Sequence, residues 1–200
     1  MNQTEQAYYE RRAPEYDDFY LGSGLYAARE RPGWHEEVEA LRTKLRSLRF
    51  KTILDVACGT GFLTRHFQGC VFGLDQSASM LRIARTRVPG GSVIRGDALQ
   101  LPFPAATFDC LSACHLYGHF RLAERERFLI EARRVARQLL IVDAGLHSVG
   151  CVSEEVQQRL LKDGSRHTVY KRYFTPEQLT AELGGGTVLH AGRWFVAVLA

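Results

Sequence analysis

The chain has 200 residues, 46% of them hydrophobic and 24% charged, which suits one globular domain with a sizeable core. No run approaches roughly 18 consecutive apolar residues and the start MNQTEQAYYERR lacks the apolar centre of a secretory signal, so we expect no membrane-spanning segment and a cytoplasmic location. The net charge of +4 comes from 22 arginines and four lysines interleaved with acids, which favours solvated helix faces over a nucleic-acid surface.

In chain order, the first predicted elements are a helix over about residues 34–48, a buried strand TILDVA, a helix from about Phe62, the strand CVFGLD, a helix over SASMLRIARTRV and the strand SVIRGD. The loop LQLPFPAA contains two prolines, and after it come the strand FDCLSACHL, the amphipathic helix RLAERERFLIEARRVAR and the fifth strand QLLIVDAG. This alternation predicts an open, mostly parallel sheet covered on both faces, with ligands beyond the carboxyl ends of the strands.

The last quarter of the chain has weaker patterns. We predict a helix within residues 153–162 and another that opens at Thr175, with Pro176 in its first position. The final stretch GTVLHAGRWFVAVLA predicts a hairpin that turns near Ala191 and Gly192.

Five cysteines are scattered through apolar surroundings: Cys58, Cys70, Cys110, Cys114 and Cys151. Because their number is odd and their spacing is irregular, we expect reduced thiols rather than a disulfide framework.

A glycine turn follows the first strand in ILDVACGTGFLTRHF. Gly59 and Gly61 let the chain turn sharply and let a ligand approach the backbone, and a helix after them would offer N–H groups to an anion. The pair alone is a weak signal, but Asp75 ends the next strand, where a carboxylate can accept both hydroxyls of a ribose. Thr64 stands where a dinucleotide fingerprint has a third glycine, which argues against nicotinamide and flavin cofactors.

Four segments together resemble the class I S-adenosylmethionine-dependent methyltransferases. They are Leu54–Gly61, Gly73–Ser77 with Met80 and Leu81, Gly96–Ala98 with Leu101–Phe103, and Phe108–Asp109. The start of the chain, with Tyr9, Ala13, Pro14, Glu15, Tyr16 and Asp17, resembles the N-terminal element that closes over the cofactor in small-molecule members.

This resemblance implies an α/β, Rossmann-like, open and mostly parallel seven-stranded sheet with helices on both faces and a C-terminal antiparallel hairpin. One domain over 1–200 would then contain an N-terminal helical cap region (1–50), a cofactor-binding core (51–145) and an acceptor-side insertion with the closing hairpin (146–200).

The resemblance also implies roles for individual residues. Asp55 would orient the glycine turn and accept a bond from it, and the methionine part of S-adenosylmethionine would lie on Ala57, Gly59 and Gly61. The remaining cofactor contacts would come from Asp75 to the ribose, Gln76 beside the adenine, Asp97 and the Ala98 N–H to the adenine edge, the Cys114 carbonyl to the methionine ammonium, and Tyr16 over the sulfonium. Ordinary structural roles remain open for each: turn or helix caps for the acids, and packing for Cys114 and Tyr16.

Candidates for proton transfer and for acceptor binding follow the fourth and fifth strands. His115, Tyr117 and His119 lie in HLYGHF, and we favour His119 as a general base because Gly118 places it in a loop. His147 and the pair Lys171 and Arg172 would contact the acceptor, the two cations by holding an acidic group. Packing and solvated surface roles compete with all of these.

Other classes of site and function are weighed on the same residues. Cys110, Cys114, His115 and His119 resemble a metal-ligand spacing, but strand geometry separates them onto opposite faces, so we expect no metal. Motifs of amino-methylating and cytosine-methylating nucleic-acid enzymes are absent, so a small-molecule acceptor is favoured and nucleic acid is unlikely, with RNA still open. An NAD-dependent oxidoreductase and a non-catalytic cofactor-binding module remain alternatives, and the chain is expected to be a monomer or a homodimer.

Overall fold

A computed structural model describes residues 3–88, 90, 92–146 and 152–200. Its α-helices are α1 Gln3–Arg12, α2 Asp18–Leu21, α3 Trp34–Ser47, α4 Ala78–Ala84, α5 Leu122–Val135 and α6 Pro176–Glu182. Its strands are β1 Thr52–Val56, β2 Cys70–Asp75, β3 Ser92–Arg95, β4 Phe108–Cys114, β5 Ala136–Ala144, β6 Glu154–Leu160, β7 Arg166–Arg172, β8 Thr187–Ala191 and β9 Phe195–Leu199.

Seven of these strands form one sheet in the order β3-β2-β1-β4-β5-β9-β8. The pairs among β1 to β5 are parallel, whereas β9 runs antiparallel to both β5 and β8. This confirms the predicted mostly parallel seven-stranded sheet with a C-terminal antiparallel hairpin.

Both faces of the sheet are covered by helices. Successive side chains of β1 point to opposite faces, so Leu54 packs with Phe128 of α5 while Ile53 packs with Leu41 of α3 and Leu81 of α4. A buried strand without polar alternation is therefore the right prediction for TILDVA.

The predictions for residues 175–200 are confirmed. The Thr175 side chain accepts a bond from the Gln178 N–H at 3.2 Å and Pro176 takes the first position of α6. The closing hairpin turns between Ala191 and Phe195, and the Gly192 N–H donates to the Phe195 carbonyl at 2.9 Å.

Two predicted helices are wrong. After the glycine turn the chain makes only a short 3₁₀ helix, Thr64–His66, because β2 already begins at Cys70 and the buried Thr64 and Phe67 draw the segment into the core. The turn therefore opens no α-helix whose N-terminus could bind an anion.

The helix predicted within residues 153–162 is instead β6, which pairs antiparallel with β7 as a separate two-stranded sheet. We call this unit the β6–β7 hairpin. Good helix formers such as Glu, Gln and Arg adopt a strand here because the pairing with β7 outweighs their propensity.

Within the described ranges, no helix is long and apolar enough to cross a membrane. The described cysteines Cys58, Cys70, Cys110 and Cys114 are free thiols, and Cys151 lies outside the described residues.

Candidate active site

A pocket, here called the strand-end pocket, lies at the carboxyl ends of β1, β2 and β4. It is lined by the residues that end these strands or follow them, and by two tyrosines of the N-terminal segment: Ala57, Gly59, Asp75, Cys114, His115, Tyr9 and Tyr16. Open α/β sheets bind ligands at this edge, at the point where the strand order reverses, which here lies between the parallel neighbours β1 and β4.

The glycine turn forms the floor of the strand-end pocket. Gly59 has a φ of 55°, and a Cβ atom built on it would lie 3.2 Å from a ring carbon of Tyr16. Ala57 and His115 also have left-handed φ values, 57° and 59°, although neither is glycine. Strained backbone of this kind is concentrated where a site requires it, and here both residues line one pocket.

Asp75 is the buried acid of the strand-end pocket. Its Oδ2 accepts the Gly59 N–H at 2.9 Å and its Oδ1 accepts the Ser77 N–H at 2.8 Å. Burial raises its pKa to about 6, against these two hydrogen bonds, which lower it. A carboxylate has about four acceptor positions, so these two bonds and a third from the Gln76 backbone leave capacity for a hydroxyl of a ligand.

Asp55 lies behind the turn rather than in the strand-end pocket. Its Oδ2 accepts the hydroxyl of Thr64 at 2.5 Å, and burial raises its pKa to about 6. The bond from the glycine turn that we predicted for Asp55 is made by Gly59 to Asp75 instead. The Thr64 hydroxyl also lies 3.5 Å from the Cys58 carbonyl. Through Thr64, Asp55 therefore holds the segment that follows the turn against the turn itself.

At the expected adenine side, Gly96 and Ala98 line the pocket together with Gln76. Asp97 between them is exposed, and its Oδ1 accepts the Leu99 N–H at 2.9 Å, which is the turn role that we kept as its alternative. Asp97 itself does not line the pocket, so the structure does not bring it to the place of the predicted adenine contact.

The N-terminal segment is fastened over this edge by two acids. Glu10 accepts the N–H groups of Ala78 and Ser79, at 2.7 and 2.9 Å, in the first turn of α4. Asp17 accepts the Thr60 hydroxyl at 2.5 Å and pairs with Arg87 at 2.6 Å. No sequence pattern indicates the role of Glu10, because its partners are far away along the chain.

A larger cleft adjoins the strand-end pocket, between the N-terminal segment and the β6–β7 hairpin, and we call it the hairpin cleft. Tyr9, Tyr16 and His115 line both spaces. A molecule in the hairpin cleft and one in the strand-end pocket would therefore meet at these three side chains.

The two candidate histidines take different places. His115 stands at the junction, its Nε2 has no hydrogen-bond partner in the described structure, and burial lowers its pKa to about 4. His119 lines only the hairpin cleft, and its Nδ1 lies 2.7 Å from the Tyr170 carbonyl. Because a carbonyl only accepts, Nδ1 carries the proton and Nε2 the lone pair. Burial lowers the pKa of His119 as well.

Tyr117, the third predicted catalytic residue, points away from both spaces. Its ring is buried against Phe128 and Phe174, and its hydroxyl donates to Glu182 of α6 at 3.0 Å. The prediction of a catalytic role for Tyr117 is corrected: it packs in the core.

Lys171 and Arg172 diverge because consecutive side chains of a strand alternate. Lys171 lines the hairpin cleft and forms a buried ion pair with Asp143 at 2.5 Å. Arg172 pairs with Glu182 at 2.6 Å on the opposite side and does not line the cleft, so the predicted joint grip on an acidic group is wrong. His147 lies outside the described residues.

Asp143 is a functional candidate that the sequence analysis missed. It accepts the Gly118 N–H at 2.7 Å and the Ala144 N–H at 2.8 Å, besides its pair with Lys171. Burial acts to raise its pKa, but Lys171, His115 and His119 outweigh that effect and hold the pKa below the usual range. In the part of the chain that the structure describes, no three His, Cys, Asp or Glu side chains converge as metal ligands.

Known proteins resemble this chain over the same elements. Residues 53–138 match the sequence profile of a family described as a methyltransferase domain. Demethylmenaquinone methyltransferase of Thermotoga maritima is 38% identical over 93 residues, which cover 43% of this chain and 39% of that protein. The dTDP-3-amino-3,6-dideoxy-alpha-D-glucopyranose N,N-dimethyltransferase of Streptomyces fradiae is 41% identical over 105 residues, which cover 48% of this chain and 41% of that protein. The chain thus spans about two fifths of the length of these curated relatives.

Among solved structures, the complex of DhpI with SAH superposes with a TM-score of 0.73 at 25% identity, covering 98% of this chain and 94% of that chain. The glycopeptide N-methyltransferase MtfA, with a TM-score of 0.59 at 17% identity over 80% of this chain, shares the fold. Residues 53–138 are therefore similar to a methyltransferase domain, and the chain has the fold of the class I S-adenosylmethionine-dependent methyltransferases.

Proposed function

We propose that the protein transfers a methyl group from S-adenosylmethionine to a small-molecule acceptor by in-line displacement. The observation that carries this proposal is the junction of two spaces at Tyr9, Tyr16 and His115: the strand-end pocket on one side and the hairpin cleft on the other. The relatives that match are methyltransferases, and the names of two of them specify a quinone and a nucleotide sugar as acceptors.

The residues of the strand-end pocket fit this cofactor. Asp75 is a buried carboxylate with unused acceptor capacity, suited to a ribose hydroxyl. The missing Cβ of Gly59 leaves room for a ligand between the turn and Tyr16. Ala57, Gln76, Ala98 and Cys114 complete the wall around these two residues.

When bound, S-adenosylmethionine supplies an electrophilic methyl group on a positively charged sulfur, which keeps the electron pair of the broken bond. The main work left to the protein is alignment, which can contribute roughly 7–11 kcal/mol. Tyr9, Tyr16 and His115 are placed to orient the acceptor and to exclude water. His119 is the general base that we propose for a protonated acceptor, since its Nε2 carries the lone pair.

Calorimetric titration with S-adenosylmethionine, S-adenosylhomocysteine and NAD tests the cofactor. We expect saturable binding of the first two and none of NAD, and the reverse result would replace the proposal by an oxidoreductase. A single-turnover assay with radiolabelled methyl donor and fractionated cell extract then separates a small-molecule acceptor from RNA. If the donor binds but no label is transferred, the result would support the alternative of a non-catalytic cofactor-binding module.

The cytoplasmic location and the monomeric or homodimeric state stay predictions from the sequence. Gel filtration with light scattering of the purified protein tests the second.

A further inference from the structure

The hairpin cleft has an unusual charge. Among its described lining residues five are cationic and one, Glu155, is acidic; the cationic residues are Arg12, Arg29, Arg31, Arg159 and Lys171. Surface arginines elsewhere in the chain are interleaved with acids, so this excess is a property of the cleft.

Some of these cations have a structural partner. Lys171 is neutralised by Asp143 in the buried pair described above. Arg31 donates to the Phe19 carbonyl at 2.9 Å and stacks on Trp34 with its guanidinium carbon 3.8 Å from the ring centre. These two residues therefore contribute more to the shape of the cleft than to its unpaired positive charge.

Arg12, like Lys171, is a buried cation of the cleft, with 4% of its surface exposed. Its Nη2 donates to the Tyr26 hydroxyl at 2.6 Å, and the nearest carboxylate oxygen, Oε1 of Glu15, lies 3.9 Å from Nη1. That oxygen makes no hydrogen bond in the described structure, so the contact is a loose one. A buried guanidinium with five donors is therefore only partly paired.

Arg159 of β6 approaches the same place from the hairpin. No carboxylate of the described residues lies within ion-pair distance of it, and its guanidinium donates through Nε and Nη2 to the amide oxygen of Gln157, at 3.2 and 3.0 Å. Its charge acts to lower the pKa of Arg12, as burial does, although Tyr8 and Tyr26 leave that pKa raised overall. Both arginines line the same cleft, and neither has a carboxylate oxygen within hydrogen-bond distance among the described residues.

We propose that Arg12 and Arg159 form an oxyanion site, and that the acceptor of this enzyme is a small molecule bearing a carboxylate or phosphoryl group held between them. An anion there would supply the missing counter-charge and receive forked hydrogen bonds from the guanidinium groups. Tyr9 lines both the hairpin cleft and the strand-end pocket, so it connects the site to the pocket. The anionic group would anchor the acceptor so that its reacting atom meets the junction.

The assignment of this site to the acceptor rests on the proposed methyl transfer, so the test measures the two separately. Isothermal titration at constant chloride ionic strength gives the Kd of inorganic phosphate and of acetate for the wild type, Arg159→Gln and Arg166→Gln. Arg166 is a matched control, because it is an exposed arginine at the same end of the hairpin, one register step from Arg159, and it does not line the cleft. Binding of S-adenosylhomocysteine and the thermal melting curve are recorded for every variant.

We expect saturable binding of at least one anion to the wild type. Arg159→Gln should weaken it about tenfold or more, whereas Arg166→Gln should leave it within about twofold. Arg159→Lys should recover part of the affinity, since it restores the charge without the fork. Preference for phosphate or for acetate then identifies the anionic group.

Failure of both anions to bind, or equal weakening by the two glutamine variants, would overturn the oxyanion site while S-adenosylhomocysteine binding kept the proposed function intact. Anion binding without any binding of S-adenosylhomocysteine would overturn the proposed function, and with it the assignment of the site to an acceptor.

Discussion

Asp75 links the geometry of the strand-end pocket to a pH dependence. Its folded pKa of about 6 lies above that of a free carboxyl group, because burial disfavours the charged form. Between about pH 4 and pH 6 the folded state then binds more protons than the unfolded state, so this group favours folding at low pH and loses that contribution as pH rises. Charge-assisted bonds to ribose hydroxyls require the opposite, ionised form.

We therefore predict that the affinity for S-adenosylhomocysteine falls as the pH is lowered through about 6, and that Asp75→Asn removes most of this dependence. At about pH 7.5 the variant should bind roughly tenfold or more weakly, the loss expected for a charge-assisted contact of about 1.5–3 kcal/mol. Titration calorimetry from about pH 5 to about pH 8 measures both effects.

Asp55 titrates in the same range and serves as the control for that experiment. Asp55→Asn keeps its bond to Thr64 feasible and should leave the pH dependence of binding in place. An unchanged slope in Asp75→Asn would contradict the ribose contact.

His119→Gln tests the proposed general base. Glutamine can keep a hydrogen bond to the Tyr170 carbonyl but offers no imidazole lone pair to the cleft. With an acceptor that arrives protonated, turnover should fall by roughly 10²–10⁴, while S-adenosylmethionine affinity stays within about twofold. His115→Gln is the comparison at the junction. Turnover within about threefold of wild type in His119→Gln would show that alignment suffices without this base.

At the scale of single residues, the sequence predicts the acids and glycines of the strand ends because parallel strands bring their carboxyl ends to one edge. Asp75 and Gly59 were placed in this way, and they meet in the structure. Arg12 and Arg159 could not be predicted in this way, since they lie far apart in sequence and share a cleft only because the β6–β7 hairpin packs opposite the N-terminal segment. Asp143 was missed for a related reason, because a strand-end acid before alanine fits no motif that we weighed.

At the scale of elements, the β6–β7 hairpin shows where hydrophobic periodicity fails. Along β6 the polar residues Glu155, Gln157 and Arg159 are the half-buried ones, whereas the apolar Val156 and Leu160 are 57% and 44% exposed. The inward face of this strand is polar because it lines a charged cleft. A rule that assigns apolar residues to the interior therefore predicts a helix where a strand forms.

The two ion pairs at the end of β7 allow a matched comparison between neighbouring residues. Lys171 pairs with Asp143, with 6% and 0% of their side chains exposed, whereas Arg172 pairs with Glu182 at 21% and 24%. Lys171→Met leaves a buried carboxylate without its cation, so we predict a loss of about 3–5 kcal/mol in the free energy of unfolding at neutral pH. Arg172→Met should cost about 1 kcal/mol or less.

The sign of the pH dependence separates this effect from simple loss of packing. The pair keeps the pKa of Asp143 low, at about 2, so its contribution is present above the pKa of an unfolded aspartate and is lost as the pH falls through the lower folded value. In Lys171→Met burial without the cation raises the pKa of Asp143, so that carboxyl is neutral and no longer costly at about pH 4. Urea denaturation at about pH 7 and about pH 4 should therefore show the difference between wild type and Lys171→Met shrinking at the lower pH. A difference that is equal at both values would mean that the pair contributes only by packing.

At the scale of the whole molecule, the strand-end pocket and the hairpin cleft meet at one edge of the sheet. The mostly parallel sheet and its closing hairpin follow from alternation and spacing, whereas the count of seven strands was implied by the resemblance. How the N-terminal segment lies across both spaces was expected only from the resemblance, because it depends on bonds such as those of Glu10 to α4 and Asp17 to Thr60 and Arg87.

Because of these bonds, we expect the N-terminal segment to become more ordered when the cofactor binds. The double variant Glu10→Gln, Asp17→Asn keeps the side-chain volumes but removes two negative charges, one at the start of α4 and one beside Arg87, each worth about 0.5–2 kcal/mol. We predict faster hydrogen exchange over residues 6–20 and a severalfold weaker binding of S-adenosylhomocysteine, because part of the binding free energy must then order the segment. Saturating ligand should restore the protection.

Glu39→Gln on the exposed face of α3 is the control, since Glu39 pairs only with Arg42 and Arg46 among the described residues. Faster exchange with unchanged ligand affinity would show that the segment covers the site without contributing to cofactor binding.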